Sequence, residues 1–357
     1  MGKRLVHLLA GLALVLGAAQ LASAQNGVWR SWIQRAEVLH RQGHYDEAVA
    51  AVTQALAIAE RNLGPEHPDV ATSLNFLAVL HEAKGEYRAA EGLYKRALAI
   101  MEKTLGREHH SVAVAVGNLA SLYKTQGRYE AAEDLCRRAL EMVEHALGAH
   151  HPNVASSLNN LAGVYYAQGR LAAAEPLYAR ALSIREKALG PHNPAVAASL
   201  NNLAALLRAR GDYAAAEPLY RRSLDIAVTR LGPRDPAVAV ALNNLAELHG
   251  AQEQYAEAEL LHQRALAILE GALGPEHPDL DASLNYLADL YGAQGRFVAA
   301  ESFYRRSLAL REKHLGPDHP IVAGSLEDLS QLYRLMGRSE DARTLADRAA
   351  KIRARSR

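Results

Sequence analysis

A single cysteine, Cys136, stands among 357 residues, so no disulfide can form within the chain. Aromatic residues are scarce as well, at 6%, which leaves little material for a core of large rings. No sign of charge dominates: 40 Lys and Arg face 39 Asp and Glu, a formal net charge of +1. With Lys3 and Arg4 set aside, 38 basic residues face 39 acidic ones. A chain this close to neutral has no bulk attraction for nucleic acid. No strand-like stretch precedes any Gly-rich segment, which excludes a phosphate loop, and no nucleophile–His–acid set has a supporting context.

Sixteen histidines are present, with His109-His110 and His145, His150 and His151 the densest groups. No Cys or acidic cluster completes a four-ligand set around them, so neither a metal nor any other cofactor is expected. The reading from chemistry alone is that the chain is no enzyme.

What the sequence has in quantity is Ala and Leu within a 49% hydrophobic share, a mixture that favours closely packed helices. The first residues differ from the rest. Lys3 and Arg4 precede an apolar stretch from Leu5 to Leu16 interrupted by His7 and Gly11, and Ala22-Ser23-Ala24 follows. This is the form of a bacterial signal peptide over residues 1–24, cleaved between Ala24 and Gln25. The expectation is an exported protein, periplasmic or secreted. The alternative is an N-terminal anchor if the segment stays uncut.

From residue 25 to 357 the chain is periodic. Gly64, Gly106, Gly148, Gly190, Gly232, Gly274 and Gly316 recur every 42 residues. A second series runs midway through Gly43, Gly85, Gly127, Gly169, Gly211, Gly295 and Gly337, and only Glu253 breaks it. Glycine ends helices in the left-handed region, so each interval predicts one helix and each pair a hairpin. Eight hairpins follow, at about 29–62, 71–104, 113–146, 155–188, 197–230, 239–272, 281–314 and 323–356. Ala48, Ala90, Ala132, Ala174, Ala216, Ala258, Ala300 and Ala342 follow the tight turns. Ala36, Ala78, Ala120, Ala162, Ala204, Ala246 and Ala288, with Ser330 in the eighth repeat, mark where the two helices cross. Cys136, at the place of Tyr94, Tyr178 and Tyr220, reads as a packing thiol.

Most of the other boundaries read Leu-Gly-Pro-x-x-Pro, with proline at the first helical residue. Asn193 and Asp235 are good helix caps there, whereas His67, His151, His277 and His319 are expected to cap more weakly. His110 replaces the proline in the third repeat and predicts a looser junction. The terminal run Lys351, Arg353, Arg355 and Arg357 reads as a solvated end of the last helix.

The pattern, clearest over residues 150–190, resembles the tetratricopeptide repeat in the 42-residue form of kinesin light chains. The resemblance covers residues 29–357. It implies an all-α, right-handed superhelix, an α-solenoid of about eight helix–turn–helix repeats. It also implies a concave face lined by first helices. Two ladders of positions then point inward. One is Asn75, Gly117, Asn159, Asn201, Asn243, Asn285, Glu327; the other is Phe76, Asn118, Asn160, Asn202, Asn244, Tyr286, Asp328. Nine asparagines in register are poor helix formers, and a carboxamide can clamp an extended peptide by its backbone.

The expected peptide-binding set is therefore these nine with Lys124 and Arg208, read as positive charge, and Asp289, read with Glu247, Glu327 and Asp328 as an acidic end. Another reading of the asparagines stays open, that they bond neighbouring repeats and set curvature. The function implied is a scaffold binding a protein or peptide. The alternative is an assembly factor or an accessory subunit of a separately encoded enzyme.

Overall fold

The computed structural model describes residues 27–355, and the expected signal segment, with Ala24 and Gln25, lies outside the described residues. The described chain is sixteen helices joined by short turns. In order they are α1 (Gly27–Arg41), α2 (Tyr45–Leu63), α3 (Pro68–Ala83), α4 (Tyr87–Leu105), α5 (His110–Thr125), α6 (Tyr129–Leu147), α7 (Pro152–Ala167) and α8 (Leu171–Leu189). There follow α9 (Pro194–Ala209), α10 (Tyr213–Leu231), α11 (Pro236–Ala251), α12 (Tyr255–Leu273), α13 (Leu280–Ala293), α14 (Phe297–Leu315), α15 (Pro320–Leu335) and α16 (Ser339–Arg355). Odd and even helices pair as eight hairpins of an all-α tetratricopeptide-type solenoid. Two compact units divide the chain, one ending at Leu206 and the other beginning at Leu207, inside α9.

The tight turns work as the glycines demand. Every glycine of both series has φ between +72° and +94°, and the residue after each mid-hairpin glycine donates back to the fifth residue before it, as Arg128 N–H does to Tyr123 O at 2.9 Å. Glu253 takes φ +60° in the same turn, and Gln254 N–H still reaches His249 O at 2.9 Å. The turn is kept there at the cost of a Cβ crowding the left-handed backbone.

Small residues set the helix separation. The alanines that follow the tight turns are fully buried from Ala48 to Ala300, as are their first-helix partners from Ala36 to Ala288. In the eighth hairpin Ser330 Oγ donates to Ala342 O at 2.7 Å, so the two backbones lie within one hydroxyl of each other. Cys136 is buried, and burial pushes its thiol up to about 12, which makes it a packing group and not a reactive one.

At the long-helix ends, Asn193 Oδ1 and Asp235 Oδ1 accept from the N–H two residues on, at 2.9 and 2.8 Å. The histidines do the same. Nδ1 of His67, His109, His151, His277 and His319 accepts at 3.1–3.2 Å, because a neutral imidazole offers an acceptor where Asn carries its oxygen. The looser junction expected at His110 is not there: His109 caps Ser111 and accepts from Val112 N–H at 2.8 Å. The junction that departs is the one before α13, which starts at Leu280, two residues past Pro278.

Four of the boundaries between repeats are clasped by one recurring triad. In the unit up to Leu206, Glu91 accepts from Tyr123 Oη at 2.9 Å and from Arg128 at 2.8 Å, and Arg128 lies 3.8 Å from the Tyr123 ring centre. Glu133, Tyr165 and Arg170 repeat this at 3.0, 2.8 and 4.2 Å. In the unit from Leu207, Glu259 holds Tyr291 and Arg296, and Glu301 holds Tyr333 and Arg338. The strain at Glu253 yields a test. Glu253→Gly should stabilise the protein by about 1 kcal/mol, seen as a higher denaturation midpoint with an unchanged slope; an equal or lower midpoint would show that the turn is unstrained.

Candidate functional site

First helices are buried on two sides, between the second helix of their own hairpin and the second helix of the preceding one, and so are apolar nearly all round. In α3 eleven of sixteen residues are buried, against five of nineteen in α4. A carboxamide in such a helix must find a partner or go without. The asparagines divide on this point.

Four of them are engaged inside the fold. Asn118 Nδ2 donates to Asn75 Oδ1 of the preceding repeat at 2.9 Å. Asn243, buried, accepts from His262 Nδ1 at 2.8 Å and donates to Ser283 Oγ at 2.7 Å. Asn285 Nδ2 donates to Ser307 Oγ and to Asp281 O, both at 2.8 Å. For Asn75, Asn118, Asn243 and Asn285 the geometry is that of the alternative reading, in which the amide joins helices and repeats.

The rest behave differently. Asn159 is 4% exposed, and neither its Nδ2 nor its Oδ1 has a hydrogen-bond partner. Asn201 has a buried Oδ1 in the same condition. Asn160, Asn202 and Asn244 are half-buried. The Nδ2 of Asn160 lies 3.4 Å from the point a Cβ on Gly117 would occupy. Lys124 Nζ and Tyr178 Oη converge likewise on Gly163, at 3.5 and 3.6 Å.

The charges do not sit as expected. Arg208 is no open positive site, for its guanidinium donates to Glu247 Oε2 at 3.0 Å. Both lie in the unit from Leu207, one on α9 and one on α11, so each compensates the other. Glu327 is likewise held by Arg353 at 2.7 Å. What remains acidic is the pair Asp289 and Asp328. Asp289 accepts from Tyr304 Oη; burial raises its carboxyl, and that of Asp328 is raised by burial and then by Asp289 itself. Among the described residues no group of three or more His, Cys, Asp or Glu could hold a metal.

Two participants escaped the sequence reading. His262 stands where other repeats have Tyr94, Tyr178, Tyr220 and Tyr304, and it stacks on Tyr286 at 5.3 Å while serving Asn243. Arg185 stands where most repeats have Ala59, Met101, Val143, Ala227 or Leu269, and it is buried. Aligning the repeats exposes both departures.

Burial holds the His262 imidazole down at about 4, so it is neutral in the fold, while the unfolded chain takes up the proton near 6.5. Its contribution is whole above pH 6.5 and is lost as pH falls from 6.5 through 4, on the order of 3 kcal/mol. The raised carboxyls of Asp289 and Asp328 act in the opposite sense. His262→Tyr should therefore flatten the loss of stability between pH 6.5 and 4 relative to the parent, measured by urea denaturation across that range. Parallel profiles would show that His262 does not titrate with unfolding.

The tetratricopeptide repeat model matches residues 29–103, 111–187, 155–228, 195–271, 237–313 and 283–355. Among solved structures, BtubC (BKLC) from P. vanneervenii is similar with a TM-score of 0.51 and 23% identity, over 64% of this chain and 90% of that one. The apo form of RapI is similar with a TM-score of 0.57 and 17% identity, over 80% and 98%. A putative kinesin light chain from Podosopora anserina with nearly identical TPR-like repeats shares 30% identity over 56% and 95%, with a TM-score of 0.47. No curated protein matches the chain. The BtubC and RapI likenesses show fold alone. The repeat model, spanning almost every described residue, shows that the chain belongs to the tetratricopeptide repeat family.

Proposed function

We propose that the chain is a non-catalytic scaffold that binds an extended segment of another protein across its first helices. Tetratricopeptide domains generally mediate protein–protein interactions, and the finer reading rests on one observation. Asn159 carries a buried carboxamide whose donor and acceptor are both unmatched, and Asn201 on the following first helix repeats half of that condition. A fold that matches Asn75, Asn243 and Asn285 has no structural use for these two. An unmatched buried amide costs on the order of 1–3 kcal/mol, a cost that a partner's main-chain N–H and C=O would remove. The binding centre is thus on α7 and α9 in the unit up to Leu206, with Asn160, Asn202 and Lys124 beside it. In the unit from Leu207, the mutually repelling Asp289 and Asp328 favour a basic residue of the partner. No helix among the described residues is long and apolar enough to cross a membrane.

Export belongs to the same proposal, because the partner would then be another envelope or secreted protein. The mass of the protein recovered from its own cell should begin at Gln25, and Ala24→Asp should block processing; a recovered chain starting at Met1 refutes cleavage.

The groove itself is tested with whichever protein co-purifies from the envelope fraction. Asn159→Ala with Asn201→Ala should weaken its binding at least about fivefold, at 0.5–1.5 kcal/mol per lost contact, and leave Tm unchanged or higher. Asn243→Ala should do the reverse. It leaves His262 and Ser283 unmatched, lowers stability by about 1–3 kcal/mol and spares affinity. Undiminished binding by the double variant would end the proposal.

A further inference from the structure

Arg185, near the end of α8, is 8% exposed. Its Nη1 donates to Ala195 O at 3.1 Å and Ser199 Oγ at 2.9 Å, and its Nη2 to Ser156 Oγ at 3.2 Å. All three acceptors are neutral. Burial alone lowers the guanidinium to about 10, the mark of a cation with no anion to balance it. A buried charge is ordinarily paired, because an uncompensated one is strongly unfavourable.

The repeat supplies its own controls. Two other arginines occupy the Arg185 position, Arg311 in the seventh hairpin and Arg353 in the eighth. Arg311 donates to Asp281 Oδ2 at 2.7 Å and also to Ser325, which is the counterpart of Ser199. Arg353 donates to Glu327 at 2.7 Å. Both therefore hold a carboxylate. In the fourth hairpin the counterpart of Asp281 is Ala155, and the counterpart of Glu327 is Asn159. The fourth hairpin thus combines an arginine without its carboxylate and, at the position from which the eighth hairpin supplies one, a buried amide with no partner.

There is a way in. Ser156 is exposed although it accepts from Arg185, and it shares one stripe of α7 with Asn160 and Gly163. Gly163 adds no side chain of its own to that stripe, and Lys124 Nζ and Tyr178 Oη lie 3.5 and 3.6 Å from where its Cβ would stand. Of the five N–H groups of a guanidinium, Arg185 directs three at neutral oxygens.

We infer that the α7–α8 hairpin holds a carboxylate-binding subsite, in which an acidic group of the partner enters over Ser156 and receives hydrogen bonds from Arg185 and from Asn159 Nδ2. A carboxylate is the occupant because both repeat counterparts hold one and because one guanidinium balances one negative charge. This moves the acidic anchor of the partner from Arg208, which Glu247 already satisfies, to Arg185. The biological meaning rests on the groove proposed above; the subsite itself does not, and it is testable without the partner.

Full-length protein labelled with ¹⁵N is titrated at constant ionic strength with three probes: N-acetylglycine, N-acetylglutamate α-amide and, as the neutral control, N-acetylglycinamide. The Arg185 Nε–Hε and Asn159 Nδ2–H₂ resonances should move saturably in the millimolar range with the charged probes and stay still with the neutral one. Which charged probe binds tighter tells a chain terminus from an acidic side chain. Arg185→Met should weaken the response at least tenfold. Equal shifts with chloride mean an adventitious ion only and overturn the inference, as does silence at Arg185. If Arg185→Met fails to fold, Asn159→Asp decides. It places a carboxylate where the eighth hairpin has Glu327, so it should raise Tm by at least about 2 °C and abolish the probe response. A lower Tm would show that position 159 does not face Arg185. Loss of partner binding in the double alanine variant, with no probe response at Arg185, would leave the groove standing and this subsite refuted.

Discussion

The close approach of two helices at a pair of alanines is the constraint on which the other features depend. Where Ser330 replaces one of them, its hydroxyl reaches the backbone of Ala342 at 2.7 Å, which leaves room for a methyl group and nothing larger. Helices this near can be held apart by Ala and Leu but not by many rings, and four of the tyrosines serve repeat boundaries instead. There Tyr123, Tyr165, Tyr291 and Tyr333 each bridge a glutamate and stack beneath an arginine. Each hairpin thereby packs only on its neighbours and each boundary is local, the energetic form of a repeat protein.

The same closeness makes the interior of a first helix expensive for polar groups. Some are accommodated by a partner on the first helix of the next hairpin: Trp29 Nε1 donates to Ser73 at 2.9 Å, and Ser283 receives Asn243. Against that background Asn159 and Arg185 stand out as groups for which the hairpin offers no partner of matching kind. Their unmet bonding capacity lies in one hairpin, so the functional argument centres on the fourth repeat, with Asn201 of the fifth beside it.

How far this was legible from residues alone follows from what each feature depends on. The glycine and alanine series concern one residue and its own backbone, and they read directly; even Glu253 announced itself as a break. The state of an asparagine depends on what faces it. Asn243 and Asn159 are the same residue at the same place in the repeat; His262 and Ser283 serve the first, whereas beside the second the histidine is replaced by Tyr178 and the matching serine, Ser199, is taken by Arg185. Arg208 looked like open charge because Glu247 is 39 residues away in sequence yet one bond away in space. The histidine caps were undervalued for a different reason. Residue preference at a cap averages over contexts, whereas the neutral ring presents its Nδ1 acceptor in the same geometry five times over.

The clasp of Glu, Tyr and Arg also bears on how such a chain yields to force. Each clasp ties one repeat to the next through an ion pair, and no bond of the triad reaches further than its neighbour. Pulled from its ends, a run of clasped repeats gives way one unit at a time. Each unit released adds 42 residues of slack, roughly 140–150 Å of contour, while the units still clasped keep their shape. Under load such a run would lengthen by fixed increments.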